Sequence, residues 1–233
     1  SIEGLDYERY HVWEELDELN LNDFDFMWIG NAETDMWTAD HNDFMERLEA
    51  FVDGGGVLYH SSGQQQFNVI PTNPGGLVAV VSAQVRQTRC PIQLNPEENY
   101  FIDYMNENDP SGWNWRAGQQ LIGFRDIAPF TYGYFRSEDL EEIDNSDWYE
   151  VMVRGNEIDE PVVVTYRYGS GYCFVNTALD GYHHHWPQTA QWGRTGEAVI
   201  WYMDFLSAEL DTLSLAPSFG TLNPGEEADL VLT

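Results

Sequence analysis

The sequence contains no lysine: its ten basic residues are all arginine, against 40 Asp and Glu, so the formal net charge is −30 at pH 7. Binding nucleic acid or an anionic membrane surface requires a basic patch that neutralises phosphates. The charge balance therefore argues against both kinds of partner. A charge this far from zero makes a folded chain repel itself, and dissolved salt screens the repulsion. Two interpretations stay open, a surface suited to a saline environment and a generic acidic protein.

Cysteine is scarce, since the chain has only Cys90 and Cys173. Neither lies in a CxxC motif or at metal-ligand spacing, so one disulfide and two buried thiols are both open. No apolar run approaches the ~20 residues that span a bilayer, so no membrane insertion is expected. The first residues lack the basic and apolar regions of a signal peptide. If the protein is exported, its signal was removed or lies upstream.

The chain is rich in the residues that build a core. Of its 233 residues, 42% are hydrophobic and 15% aromatic, which excludes disorder as the main state. A chain of this length can bury most of its apolar surface without disulfides or metals. We expect one large domain and a further short segment.

A strand–helix–strand unit is predicted between residues 24 and 60. The apolar run 24–30 ends in glycine and is typical of a buried strand. A helical face then follows, ended by three glycines; its apolar residues are Phe44, Leu48, Phe51 and Val52. Residues 57–60 form the next strand, so a right-handed parallel crossover is expected.

Further elements are predicted along the rest of the chain. Residues 84–96 are interpreted as a connection and 110–134 as a long loop with short strands. The period-2 and apolar patterns predict strands over 147–154, 161–168 and 172–177, the last two joined by a turn at 169–171. Helices are predicted over 100–106 and 195–206.

Several of these segments resemble the class I glutamine amidotransferase-like fold, including its trehalose-utilisation-like (ThuA-like) relatives. The matching segments are "NDFDFMWIGN", "FMERLEAFVDGGG", "VLYHSSG", "RCPIQLNP", "PVVVTYRYGSGYCFVNTALDGYHHHW" and "GEAVIWYMDFL". The resemblance implies a three-layer α/β domain over residues 1–208, with a mostly parallel flavodoxin-like sheet. The tail "LSLAPSFGTLNPGEEADLVLT" resembles the opening of an immunoglobulin-like β-sandwich, so residues 209–233 are expected to be a short β segment. Together they imply part of a larger extracellular or cell-surface protein, whose other domains would be partners.

The nucleophile of a working amidotransferase is missing from the pattern. That chemistry needs a Gly-x-Cys-x-Gly turn, which exposes the thiol beside an oxyanion hole. Cys90 instead precedes a proline, and Cys173 lies inside a predicted strand. Ser61 follows a strand end and could serve a serine-based variant, although Ser-Ser-Gly at this point is also typical of a plain turn. The sequence therefore favours a non-catalytic domain.

Histidines suggest a metal site at the carboxyl ends of the strands, where open α/β sheets bind ligands. His60 ends one strand, and His183 and His185 follow another strand after Asp180. Nitrogen and oxygen ligands of this kind suit zinc. The alternative is a solvated histidine loop and a hydrogen-bonded His60. Calcium is a second candidate ion, because residues 106–109 are rich in side-chain oxygen, although they lack the EF-hand register.

Aromatic side chains in the loops suggest a carbohydrate site. Flat apolar faces beside polar groups are what sugar ligands need. The predicted ligand-binding residues are His60, Ser61, Trp113, Trp115, Tyr182 and Trp186. The alternative is that the tryptophans pin their loops to the sheet as a satellite core.

The sequence therefore predicts a non-catalytic module that binds a small molecule or glycan, or holds neighbouring domains in place. One alternative is a ThuA-like sugar-processing enzyme or metal-dependent hydrolase that uses His60 and residues 183–185. A third interpretation is a purely structural part of a surface assembly.

Overall fold

A computed structural model describes the structure of several segments of the chain. These are residues 19–29, 44–61, 72–80, 90–97, 99–109, 114–120, 130–131 and 133–177, with residues 202, 203, 205, 206 and 208 of a final helix. Of residues 61, 90, 91, 130 and 131 the backbone alone is described. The predicted β segment at 209–233 lies outside the described residues.

Seven strands form one mixed sheet in the order β1-β2-β7-β6-β5-β3-β4. The strands are β1 (Phe26–Ile29), β2 (Val57–Ser61), β3 (Cys90–Leu94), β4 (Phe130–Thr131), β5 (Tyr149–Gly155), β6 (Pro161–Tyr168) and β7 (Gly171–Asn176). The helices are α1 (Met45–Asp53), α2 (Tyr100–Asn108) and the single turn α3 (Ser137–Leu140), besides the final helix around residue 203.

The predicted mostly parallel, three-layer flavodoxin-like sheet is wrong. Of the six pairings between described strands, only β1–β2 and β2–β7 are parallel, and the other four are antiparallel. The described helices are also few and short. The cause lies in the connections, because β5, β6 and β7 follow one another through turns of a few residues. Such short turns join antiparallel strands, whereas a parallel pair needs a crossover of a dozen residues or more.

The parallel part of the sheet follows the predicted strand–helix–strand unit. Phe26 lies opposite Val57 in the parallel register of β1 and β2. The predicted apolar face of α1 is confirmed, since Leu48, Phe51 and Val52 are buried. β2 pairs on its other side with β7, so three strands direct their carboxyl ends to the same edge. This edge is called the carboxyl edge below.

Side chains that alternate along the strands divide the core between the two faces of the sheet. On one face, Leu58 and Val164 pack with Leu48 and Phe51 of α1. We call this the α1 face. On the opposite face, the α2 face, the cluster is built from the sheet, α2 and the final helix, and includes Val57, Tyr59, Phe174, Phe101, Met105, Tyr202 and Leu206.

One local prediction fails and one alternative is narrowed. Residues 84–96, interpreted as a connection, contain β3. Cys173 is a buried free thiol. β5 and β6 separate its strand from that of Cys90, which puts the two roughly 14 Å apart at the usual strand spacing. A disulfide needs Cα atoms within about 7 Å, so these two cysteines lie too far apart to form one with each other. No described helix is long and apolar enough to cross a membrane.

Candidate functional site

Buried polar side chains gather at the carboxyl edge. His60 of β2, Asn176 of β7 and Thr177 just beyond it are at most 1% exposed, and Tyr59 of β2 is 4% exposed. Earlier residues of the same strands, such as Leu58 and Phe174, are apolar and equally buried. Because a buried polar group is costly unless it is hydrogen-bonded, each of these side chains should have a defined partner.

His60 binds Asn73. Its Nδ1 lies 2.6 Å from Asn73 Oδ1, and both residues are fully buried. The Asn73 side-chain nitrogen donates to the carbonyl oxygen of Leu77 at 2.9 Å, which fixes the orientation of the amide. Asn73 Oδ1 is then the acceptor, so Nδ1 of His60 donates the hydrogen bond. The structure therefore places His60 as a hydrogen-bonded core residue that holds the segment 73–77.

The segment 73–77 is anchored by three elements of the fold. Besides His60 of β2, Tyr166 of β6 donates its hydroxyl to the carbonyl oxygen of Pro74 at 2.7 Å. The backbone N–H of Gly75 donates to Glu49 of α1 at 3.2 Å. Gly75 has φ 76°, and a Cβ there would lie 2.6 Å from Ile143. Only glycine suits this position, and the segment in turn fixes the ring of His60.

The remaining residues of the predicted metal site lie outside the described residues: these are Asp180, His183 and His185. Within the described ranges, no group of three His, Cys, Asp or Glu side chains is placed to hold a metal ion. In the calcium candidate at 106–109, two side-chain oxygens accept hydrogen bonds from Trp115. Asn106 Oδ1 accepts from the backbone N–H of Trp115 at 2.9 Å, and Asp109 accepts from its indole Nε1 at 2.8 Å.

The structure places Trp115 in the core instead of on a ligand-binding face. It is 2% exposed and packs edge-to-face on Phe101, with ring centroids 5.5 Å apart. The alternative interpretation, a tryptophan that pins its loop, describes this residue. Trp113, Tyr182 and Trp186 lie outside the described residues. Ser61 is the last residue of β2, opposite Asn176 in the parallel register.

A different aromatic residue lies at the carboxyl edge, on the α2 face. Trp28 of β1 lies opposite Tyr59, and the two rings meet edge-to-face with centroids 5.6 Å apart. Asn176 donates its side-chain N–H to the Tyr59 hydroxyl at 2.7 Å. Trp28 is 40% exposed, whereas the other two are buried. We call these three residues the Trp28 row.

Sequence reasoning missed the Trp28 row because its members come from three separate strands. Trp28 and Tyr59 look like ordinary strand residues, and Asn176 like a strand end. The available signal was that these strands share one edge of the sheet, which the predicted parallel crossover already implied for β1 and β2.

Burial raises the pKa values of two buried groups that could react, Cys173 and Glu150. Burial raises the pKa of the Cys173 thiol far above its ordinary value, which disfavours the reactive thiolate. Burial also raises the pKa of Glu150 on β5. Its carboxylate accepts from the backbone N–H of Phe101 at 3.1 Å and from the Tyr202 hydroxyl at 2.9 Å. Glu150 thus joins the first turn of α2 to the final helix.

No family model matches the chain, and no curated protein matches it. Among solved structures, the cytoplasmic protein STM1381 from Salmonella typhimurium LT2 is similar with a TM-score of 0.43 and 14% identity, covering 79% of this chain and 73% of that chain. The exo-beta-1,4-mannosidase Op5Man5 from Opitutaceae bacterium strain TAV5 is similar with a TM-score of 0.32 and 18% identity. That match covers 82% of this chain and 26% of the mannosidase. Similarity at this level supports no conclusion about activity.

Proposed function

We propose that the chain is a non-catalytic binding module that holds a carbohydrate at the carboxyl edge, over the Trp28 row. The observation that carries the proposal is the position of Trp28, 40% exposed beside the buried Tyr59 and Asn176. Ligands of open sheets with parallel strands bind beyond the carboxyl ends of those strands. An indole face beside fixed polar groups is the combination that small-ligand sites use.

The raised pKa of Cys173 and the structural hydrogen bonds of His60 and Glu150 support a binding role over a catalytic one. Nucleophilic catalysis needs a nucleophile whose pKa is lowered or whose proton a neighbouring base removes. Burial acts in the opposite direction on Cys173, whose pKa is raised. His60 and Glu150 each hold backbone segments in place through their partners.

The acidic composition and the resemblance of the tail to a β-sandwich support a place in a larger extracellular or cell-surface protein. A basic footprint for nucleic acid is missing at a net charge of −30. A neutral ligand such as a glycan does not meet the electrostatic barrier that this charge sets against anions.

The test is a glycan array probed with the full chain, followed by calorimetry on the bound glycan. Trp28→Ala should weaken binding by roughly tenfold or more, since a good aromatic contact contributes about 1 kcal/mol or more. Tyr100→Ala is the matched control, because Tyr100 is an aromatic residue of α2 that is 69% exposed. Its affinity should equal that of the wild type.

Three outcomes would overturn the proposal. They are no glycan bound on the array, equal affinity of the Trp28→Ala variant, and turnover of the bound glycan. Turnover would favour the sugar-processing alternative. An array without binding would favour a structural role in an assembly.

A further inference from the structure

We infer that the folded domain requires dissolved salt, because its 40 acidic residues outnumber its ten arginines so far that internal ion pairs cannot offset the repulsion among the carboxylates. The inference is independent of the proposed ligand. It rests on the charge of the chain and on where the acidic residues lie. It also chooses between the saline and the generic interpretation of the composition.

Two of the described arginines also donate to neutral oxygens. Arg47 donates to the carbonyl oxygen of Leu19 at 2.6 Å. Arg154 donates to the side-chain oxygen of Asn95 at 3.1 Å and to the backbone carbonyl of Asp159 at 2.8 Å. These guanidinium groups hold loops and chain segments together. Their hydrogen bonds to neutral oxygens cancel no negative charge.

Among the described residues, one carboxylate lies within 4 Å of an arginine. Arg167 and Asp147 are 3.8 Å apart, and their side chains are 43% and 75% exposed. Exposed pairs of this kind contribute about 0–1 kcal/mol. The Nε of Arg167 also donates to the carbonyl oxygen of Gly169 at 3.1 Å. This ion pair therefore contributes little against the excess of acid.

Carboxylates are crowded on the α1 face. Six of the ten residues from 138 to 147 are acidic, and most of them are exposed. Glu49 and Asp53 of α1 act on the same region. After burial, the negative charges of Glu49, Asp53 and Asp144 raise the pKa of the nearby Tyr168. The potential around Tyr168 is thus negative.

Salt is the remaining means of relieving this repulsion. The Debye length falls from ~10 Å at 0.1 M to ~3 Å at 1 M, so carboxylates one or two turns apart stop repelling one another. The unfolded chain spreads the same charges over a larger volume and gains less from the screening. Added salt therefore stabilises the folded state relative to the unfolded state.

The experiment is urea unfolding of the full chain at roughly 0.05, 0.5 and 2 M NaCl, since urea itself carries no charge. We expect the urea midpoint to rise by about 1 M or more over this range. A chain that is unfolded at the lowest salt and folds on addition of NaCl would support the inference equally. A midpoint that is flat or falls with salt would overturn it.

A second arm separates screening from a specific ion site. Choline chloride at equal ionic strength should raise the midpoint much as NaCl does. If millimolar CaCl₂ alone gave the full effect and further salt added nothing, a discrete calcium site would replace the inference.

Variants test the source of the effect. Glu141→Gln, Glu142→Gln and Asp144→Asn, combined, remove three exposed charges beside α3. This variant should have a higher midpoint than wild type at low salt and a smaller rise with salt. The matched control combines Glu141→Asp, Glu142→Asp and Asp144→Glu, which keeps every charge, and its rise should equal that of the wild type. Equal rises in all three proteins would contradict the inference.

Discussion

His60 Nδ1 and Asn73 Oδ1 lie 2.6 Å apart, and neither residue is exposed to solvent. This hydrogen bond ties the end of β2 to the segment 73–77, which Tyr166 and Glu49 anchor from two other elements. The sequence placed His60 at a strand end, where a ligand-binding histidine would also lie. Through Nδ1 the residue holds the fold at this edge, and a ligand-binding role of His60 stays a prediction.

The first prediction concerns His60→Ala. A ligand-binding histidine would be removed with little loss of stability, but a buried hydrogen-bonding one would not. The variant leaves Asn73 Oδ1 buried without this donor and opens a cavity, so the free energy of unfolding should fall by about 2–4 kcal/mol. Urea unfolding at fixed salt measures it. A variant as stable as the wild type would restore His60 as a site residue.

Gly75 gives the second prediction. Gly75→Ala places a Cβ at φ 76° against Ile143 and the carbonyl oxygen of Asp144. The free energy of unfolding should fall by about 1–3 kcal/mol through backbone strain and the clash. Gly76→Ala is a useful comparison, because its φ is 79° but nothing lies within 4 Å of the added carbon. The difference between the two variants isolates the clash, and equal losses would mean that backbone strain alone matters.

The third prediction is a pH dependence set by Glu150. Burial raises the pKa of this carboxyl above its ordinary value of 4.5, although its hydrogen bonds to Phe101 and Tyr202 act in the opposite direction. The folded state thus holds the proton more tightly than the unfolded state. The contribution of Glu150 to stability is fully present below pH 4.5 and is lost as the pH rises through the folded-state pKa.

Glu150→Gln removes this titration. We expect the free energy of unfolding of the wild type to fall more steeply than that of the variant as the pH rises from about 4.5 to 7. The measurement is urea unfolding across that range at constant high salt, so that general repulsion is screened. Asp103→Asn is the control, since Asp103 contributes only a minor charge effect on Glu150. Parallel pH curves for wild type and Glu150→Gln would refute the assignment.

Local elements of the fold could be predicted, whereas the sheet topology could not. The spacing of Leu48, Phe51 and Val52 predicts a helix, and the apolar run before it predicts a strand. Both predictions depend only on residues that lie close together in the sequence. The predicted parallel crossover of β1 and β2 is confirmed. The turn at Gly169 and Ser170 was also visible and already required an antiparallel pair. The resemblance to a flavodoxin-like sheet predicts parallel strands where this turn requires an antiparallel pair.

The site was harder to predict because burial and pairing are long-range properties. In the sequence Trp115 stands between Asn114 and Arg116, whereas Trp28 stands between Met27 and Ile29. One is enclosed through Asn106, Asp109 and Phe101, and the other lies on the edge strand β1 with part of its ring in solvent. Their neighbours in sequence suggest the opposite burial, a buried Trp28 and an exposed Trp115. Only the sheet order and the packing of α2 give the observed burial.

That contrast supplies the fourth prediction. Trp115→Leu removes the indole N–H that Asp109 accepts and leaves part of the core unfilled, so the free energy of unfolding should fall by about 2–4 kcal/mol. Trp28→Leu at a 40% exposed position should cost less than about 1.5 kcal/mol. Thermal unfolding followed by circular dichroism would measure both. If Trp28→Leu proved as destabilising as Trp115→Leu, the Trp28 row would be part of the core, and the carbohydrate proposal would lose the residue on which it depends.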